Sequence, residues 1–249
     1  MKYTVLSDIG QKRSVNEDCA AMFIRSDFVR LGVIADGMGG HNAGDIASDM
    51  AITKIGKFFE NATPQHFYSE NSIKQWFLHA VGKINRLIFD YSLTHEDCQG
   101  MGTTFLAVVI TDNQKILCHI GDSRAYGVHS GTMMQLTKDH SYVNVLVENG
   151  EISEEEAQSH PKKNLITKSL GTEKTIEPDF FSLMSPTYSY LLLCSDGLSN
   201  KLSIDDMTNI LSTNVSIHEK GKCLVDLANE KGGEDNISLV LINNTKEEV

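Results

Sequence analysis

Four aspartates in this 249-residue chain share one context. Asp36 follows the apolar run LGVIA, Asp122 follows ILCHIG, Asp196 follows LLLCS, and Asp235 precedes NISLVLI. Each sits at the end of a strand-like segment, and three adjoin glycine, as Asp36-Gly37, Gly121-Asp122 and Asp196-Gly197. Asp-Gly is a common turn, so any one of these alone reads as a turn residue. Four in corresponding places, with Glu17-Asp18 ahead of another apolar run, point to carboxylates gathered at one edge of a sandwich. There they repel one another unless cations neutralise them. All-oxygen donors select hard cations such as Mg2+ or Mn2+ over zinc. Two such ions roughly 3.5–4 Å apart can acidify a shared water and stabilise an in-line displacement at phosphorus. Arg13, in SDIGQKRSVNED, offers the paired donors that suit phosphate oxygens. In IADGMGGHN (34–42), Gly39 and Gly40 supply permissive backbone between a strand end and a helix, and His41 stands beside them.

The same chain holds a rival signature. Cys118 to Arg124 (CHIGDSR) satisfies C-x5-R, the pattern of cysteine-dependent phosphatases. That chemistry needs inward-facing N–H groups leading into a helix, and a low-pKa thiolate. Here AYGVHSG follows, which reads as a strand and turn, and Asp122 would put a negative charge inside the loop. Cys118 in ILCHI reads as a small core residue.

Short segments rich in Val, Ile, Leu and aromatics at 3–9, 19–25, 28–35, 103–111, 115–120, 124–128, 176–184, 188–195 and 236–242 predict strands. Over 43–59 and 73–91 the apolar residues recur at i, i+3, i+4, i+7, which predicts two amphipathic helices, with Trp76 on a core-facing stripe. Capping-box patterns start later helices at Ser153 (with Glu156) and Ser203 (with Asp206), and a last helix spans 217–231 before Gly232-Gly233. Strands in blocks around a helix pair predict an α+β arrangement of antiparallel sheets, not alternating βαβ units. The polar stretch 137–175, with two short helices, reads as a surface excursion of the kind that forms functional flaps.

Composition narrows the partners. A formal net charge of −11 without basic clusters argues against nucleic acid and anionic membrane. Five scattered cysteines without a CxxC pair argue against a disulfide framework or structural zinc and suit a reducing compartment. No run of 18 apolar residues and no signal-like N-terminus occur. A single cytoplasmic domain over 1–249, with no membrane segment and monomeric, is the expectation.

Eight segments in order carry a resemblance: SDIGQKRSVNED (7–18), VIADGMGGHNAGDIAS (33–48), GTTFLAVVI (102–110), IGDSRAY (120–126), LTKDHS (136–141), HPKKNLITKSLG (160–171), LLLCSDGLSN (191–200) and GGEDNIS (232–238). Together they resemble the metal-dependent protein phosphatase 2C family in its compact bacterial form. The resemblance implies a four-layer α-β-β-α sandwich of two antiparallel sheets flanked by helices, with a binuclear Mg2+ or Mn2+ centre at one end. Carried over, Asp36 bridges both ions, the Gly37 carbonyl binds one, and Asp196 and Asp235 complete the other. Glu17 acts through water, Asp18 supports by hydrogen bonding, Asn236 orients its neighbour, and Arg13 holds the substrate phosphate. Asp122, with Asp196, matches a third-ion site of bacterial relatives, and the 137–175 excursion, including His160, matches the flap. The implied reaction is hydrolysis of phosphoserine and phosphothreonine in proteins by an ion-activated water, with no covalent enzyme intermediate. A Ser/Thr protein kinase is the implied counterpart.

Two departures stand out. Met38 follows Asp36-Gly37 where some relatives carry histidine, so the leaving-group proton must come from an ion-bound water, His41 or His160. Asn200 ends SDGLSN where many relatives have aspartate, which weakens the third-ion site. A reading of another class is a catalytically inactive phosphoprotein-binding regulator on the same fold; the complete set of core carboxylates counts against it.

Overall fold

The computed structural model describes residues 1–39, 43–183 and 187–244. The strands are β1 (Lys2–Asp8), β2 (Asp18–Ile24), β3 (Arg30–Met38), β4 (Gly102–Thr103), β5 (Phe105–Ile110) and β6 (Lys115–Ile120). They continue with β7 (Arg124–His129), β8 (Thr132–Gln135), β9 (Asp179–Ser182), β10 (Tyr190–Cys194) and β11 (Ile237–Asn243). The helices are α1 (Gly44–Glu60), α2 (Glu70–Thr94), α3 (Tyr142–Glu148), α4 (Glu154–Ser159), α5 (Asp196–Ser199), α6 (Ile204–Ser212) and α7 (Ile217–Glu230).

One antiparallel sheet runs β1-β11-β10-β7-β8 and the other β2-β3-β5-β6-β9, with β4 paired to β3. Side chains alternate across each strand, and here both faces are covered, which explains the nearly unbroken apolar runs. Leu31, Val33 and Ala35 of β3 pack towards α1 and α2, whereas Ile34 faces the other sheet. On β11, Val240 and Ile242 meet that central layer while Ile237, Leu239 and Leu241 pack against α6 and α7. The layers are therefore α-β-β-α, as expected. Trp76 is core, packed edge-on to Phe59 and Phe67.

The differences from expectation are local. The 103–111 strand is two, because Thr104 turns its N–H and hydroxyl to Asp36 and leaves β4 to pair with Gly37 and Met38. β3 starts at Arg30, after Phe28 at φ 62°, and runs through Asp36 to Met38, so Asp36 lies inside a strand and not beyond its end. The 73–91 helix extends to Glu70–Thr94, capped by Ser69 with Ser72. Both predicted capping boxes form, Ser153 with Glu156 and Ser203 with Asp206. The 176–184 strand contracts to Asp179–Ser182, and its last residue, Met184, lies outside the described residues.

Candidate metal centre

Antiparallel pairing brings alternate strand ends to one edge, and the predicted carboxylates stand along it. Asp18, opening β2, is the register partner of Asp36 in β3. Asp196 lies two residues beyond β10, and Asp235 two residues before its neighbour β11. β7 begins at Arg124, opposite Cys194, so the β6–β7 turn sets Asp122 beside Asp196. The Asp36 and Asp196 carboxyls lie close enough to act on each other's charge.

Burial is the first cause of the charge imbalance here, and mutual repulsion the second. Burial, then Asp18 and Asp196, push Asp36 well above the usual carboxylate range. Asp122 is pushed up to about 7 by burial, Asp196 and Asp139. Asp18 also rises to about 7 through burial, although hydroxyls of Ser195 (2.6 Å) and Ser238 oppose the shift. Burial likewise raises Asp196, with Asp235 adding to it, and Glu17, whose carboxylate accepts from the Gly44 N–H at the start of α1.

The peptide after Asp36 is tightly enclosed. Gly37 N–H donates to the Glu17 carbonyl at 3.0 Å. A Cβ at Gly37 would collide with the carbonyls of Gly44 and Glu17, so only glycine lets these chains approach. Asp36 is held through its main chain, donating to Thr104 Oγ1 at 2.9 Å and accepting from Thr103 Oγ1 at 3.0 Å.

Arg13 Nη2 donates to Asp235 Oδ2 at 2.8 Å, with both side chains part-exposed (46% and 37%). The guanidinium thus stands at the carboxylate edge on a loop that a buried amide holds down. Asn236, 3% exposed, donates from Nδ2 to Ile9 O (2.9 Å) and Val15 O (3.0 Å) and accepts from Glu17 N–H (2.8 Å). Its expected part was to orient a neighbour; its larger part is to tie the 9–17 loop to the Asp235 turn. A buried asparagine beside an aspartate at a strand start was the only sequence signal for this.

Other candidates fall elsewhere. Cys118 is fully buried within β6, which holds its thiol far above the ordinary range. Arg124 is bound by Asp139, and 118–124 is a strand, a turn and the start of a strand, so the C-x5-R match forms no phosphate loop. His160 ends α4, where its Nδ1 accepts from Lys162 N–H at 3.1 Å and its ring lies by Tyr142. These contacts lie within the 137–175 excursion, where the flap reading placed it. His41 lies outside the described residues. Asn200 Nδ2 donates to Asp196 Oδ2 at 3.1 Å, so the amide meets the carboxylate where an aspartate would add charge.

Among the described residues, no three His, Cys, Asp or Glu side chains already close on one point. The carboxylates instead crowd one another, with Arg13 paired to Asp235 and the Asn200 amide to Asp196. Such an edge suits hard cations, which would take carboxylate, carbonyl and water oxygens.

The family description "Protein phosphatase 2C" matches residues 10–228. Protein phosphatase PhpP of Streptococcus pneumoniae is 39% identical over 248 residues, covering 100% of this chain and 99% of the relative. The serine/threonine phosphatase stp of Listeria welshimeri is 39% identical over 236 residues, 95% of this chain and 93% of that one. The solved serine/threonine phosphatase of S. agalactiae superposes with a TM-score of 0.91 at 41% identity, covering 96% of this chain and 98% of that one.

Proposed function

This chain belongs to the protein phosphatase 2C family, and on that premise we propose how its residues divide the work of a metal-dependent serine/threonine phosphatase. The substrates are phosphoproteins carrying phosphoserine or phosphothreonine. Asp36, the Gly37 carbonyl, Asp196 and Asp235 would hold two Mg2+ or Mn2+ ions, with Glu17 acting through water and Asp122 serving a third. When bound, such ions acidify a water and neutralise the phosphate. The single observation behind this assignment is the crowded edge at which Asp18, Asp122, Asp196 and Asp235 all bear on the buried Asp36.

Arg13 leaves Asp235 and turns its two parallel N–H donors to the phosphate oxygens, fixing the phosphorus for in-line attack. Asn236 keeps the Arg13 loop in reach. Asp18, bonded to Ser195, braces the strand opposite Asp36. Leaving-group protonation would fall to a water among the carboxylates, to His41 or to His160. The 137–175 excursion is the flap beside the site. A bacterial Ser/Thr kinase would supply the substrates, and the reading is of one monomeric cytoplasmic domain. Among the described residues, no helix is long and apolar enough to cross a membrane.

Hydrolysis of a phosphothreonine peptide and of p-nitrophenyl phosphate tests this. Activity should vanish in EDTA, return with Mn2+ or Mg2+, and stay near wild type in Cys118→Ser. EDTA-resistant activity that Cys118→Ser abolishes would establish the thiolate mechanism instead. No hydrolysis under either ion would favour a phosphoprotein-binding regulator.

A further inference from the structure

The loop that carries Arg13 stands on a foot that the mechanism above leaves unused. β1 ends at Asp8, whose Oδ1 accepts twice, from Gly10 N–H at 2.8 Å and from Asn229 Nδ2 at 3.0 Å. The first bond folds the chain back on itself in an Asx turn at the strand end. The second comes from the last turn of α7, in an outer layer of the sandwich. Gly10 has φ 80°, and a Cβ there would collide with the Asp235 carbonyl, so only glycine lets the turn lie this close to the Asp235 segment. Gln11 N–H then donates to Gly233 O at 2.7 Å.

The Asn229 amide can face Asp8 in one sense only. Nδ2 donates to the carboxylate, whereas the reverse orientation would set Oδ1 against it. Oδ1 is left buried, without a partner among the described residues, and a Cβ on Gly233 would crowd it. α7 closes as the N–H groups of Lys231, Gly232 and Gly233 donate to Leu227 O, Asn229 O and Ala228 O. One helix end therefore presents both the Asn229 amide to Asp8 and the Gly233 carbonyl to Gln11.

The other foot of the loop is tied as well. Asn236 takes the carbonyls of Ile9 and Val15, and Asn16 Nδ2 donates to Ser7 Oγ at 2.8 Å across the base. Residues 11 to 14 lie exposed between the two feet. The reach of the Arg13 guanidinium is thus set by where the feet stand. If a foot is loose, ordering the loop must be drawn from the energy of binding phosphate.

We propose that Asp8 and Asn229 are positioning residues for phosphate binding, through which the end of α7 holds the Gly10–Gln11 turn against the Asp235 segment and sets Arg13 at the substrate phosphate. This rests on the phosphatase reading and extends its account of Arg13. The alternative is a foot that serves stability alone, and a mutant cycle separates the two. Asp8→Ala and Asn229→Leu should each raise KM for a phosphothreonine peptide about ten-fold, with kcat at saturating Mn2+ within about two-fold. Asp8→Asn, which keeps an Oδ1 acceptor for both bonds, should hold KM within about two-fold of wild type. In the Arg13→Ala background, Asp8→Ala should change KM by less than about two-fold. In the cation-free protein, hydrogen exchange at the Gly10 and Gln11 amides should quicken about ten-fold in Asp8→Ala and return in Asp8→Asn, leaving Leu191–Cys194 unchanged. An equal rise in KM in both backgrounds, a fall in kcat with KM unchanged, or unaltered exchange at Gly10 and Gln11 in Asp8→Ala would overturn the assignment. An inactive wild type with Mn2+ would instead overturn the phosphatase reading, while the exchange measurement still decides whether Asp8 holds the turn.

Discussion

Asp36→Asn is expected to abolish turnover and, in the cation-stripped protein, to raise the midpoint of thermal unfolding. The loss follows from the place of Asp36 between Asp18, Asp196, Asp122 and Asp235, where it would serve both ions. Cations supply several kcal/mol of charge stabilisation at phosphorus, so kcat/KM should fall by at least about 10³-fold. The stability gain has a separate origin. Burial and the surrounding aspartates push Asp36 well above the usual carboxylate range, so near neutral pH the folded, cation-free protein holds a proton that an unfolded chain would release, at a cost in stability. A neutral amide at position 36 removes that cost, so calorimetry in EDTA should show a higher unfolding midpoint. A variant that keeps activity would remove Asp36 from the site; one that loses activity and is less stable without cations would contradict the repulsion.

The second large effect is a reversed pH dependence. Asp18 and Asp122 are pushed up to about 7, and Asp36 well above the usual range, against 3.8 for an ordinary aspartate. In the cation-free protein the folded state therefore binds more protons than the unfolded state between about pH 4 and 7. Stability is fully present below the unfolded value and is lost as pH rises through the folded values, so the stripped protein should become more stable from pH 7.5 to 5. Carboxylates held low by partners, such as Asp206 at about 2 beside Lys231 and Ser203, act in the opposite direction but below this window. His119, pushed down to about 3 by burial, and His140, also lowered by burial, oppose the trend below pH 6.5 but are outnumbered by Asp18, Asp36, Asp122, Asp196 and Glu17. Saturating Mn2+ competes with the protons and should flatten the profile. Urea midpoints at pH 5, 6, 7 and 7.5, with EDTA or Mn2+, measure both arms; in EDTA, a midpoint that is flat or falls towards pH 5 would contradict the account.

Both effects depend on residues far apart in sequence, which marks how far the sequence could be read. The layers were legible because apolar residues recur with a period of two on buried strands and near 3.6 on helices, and because Asp36, Asp122, Asp196 and Asp235 adjoin apolar runs. The family was legible from eight ordered segments. β8 was missed since TMMQ buries only Met133 and shows no β-branched alternation. The Ser69–Ser72 cap was missed because its third residue is serine where a glutamate pattern was sought. The Asn236 clamp spans more than 200 residues, and no local pattern announces which carbonyls a buried amide will meet. Arg13 was picked out for phosphate, but its pairing with Asp235 belongs to the tertiary fold. The placing of His160 in the excursion was legible, but its bond to the Lys162 N–H at the end of α4 was not.

Anomalous diffraction from crystals grown in Mn2+ tests the central assignment most directly. The account predicts two manganese peaks that share the Asp36 carboxylate, one also reaching Asp196 and Asp235, with Arg13 released from Asp235. No manganese at Asp36, with the Arg13–Asp235 ion pair intact, would contradict it.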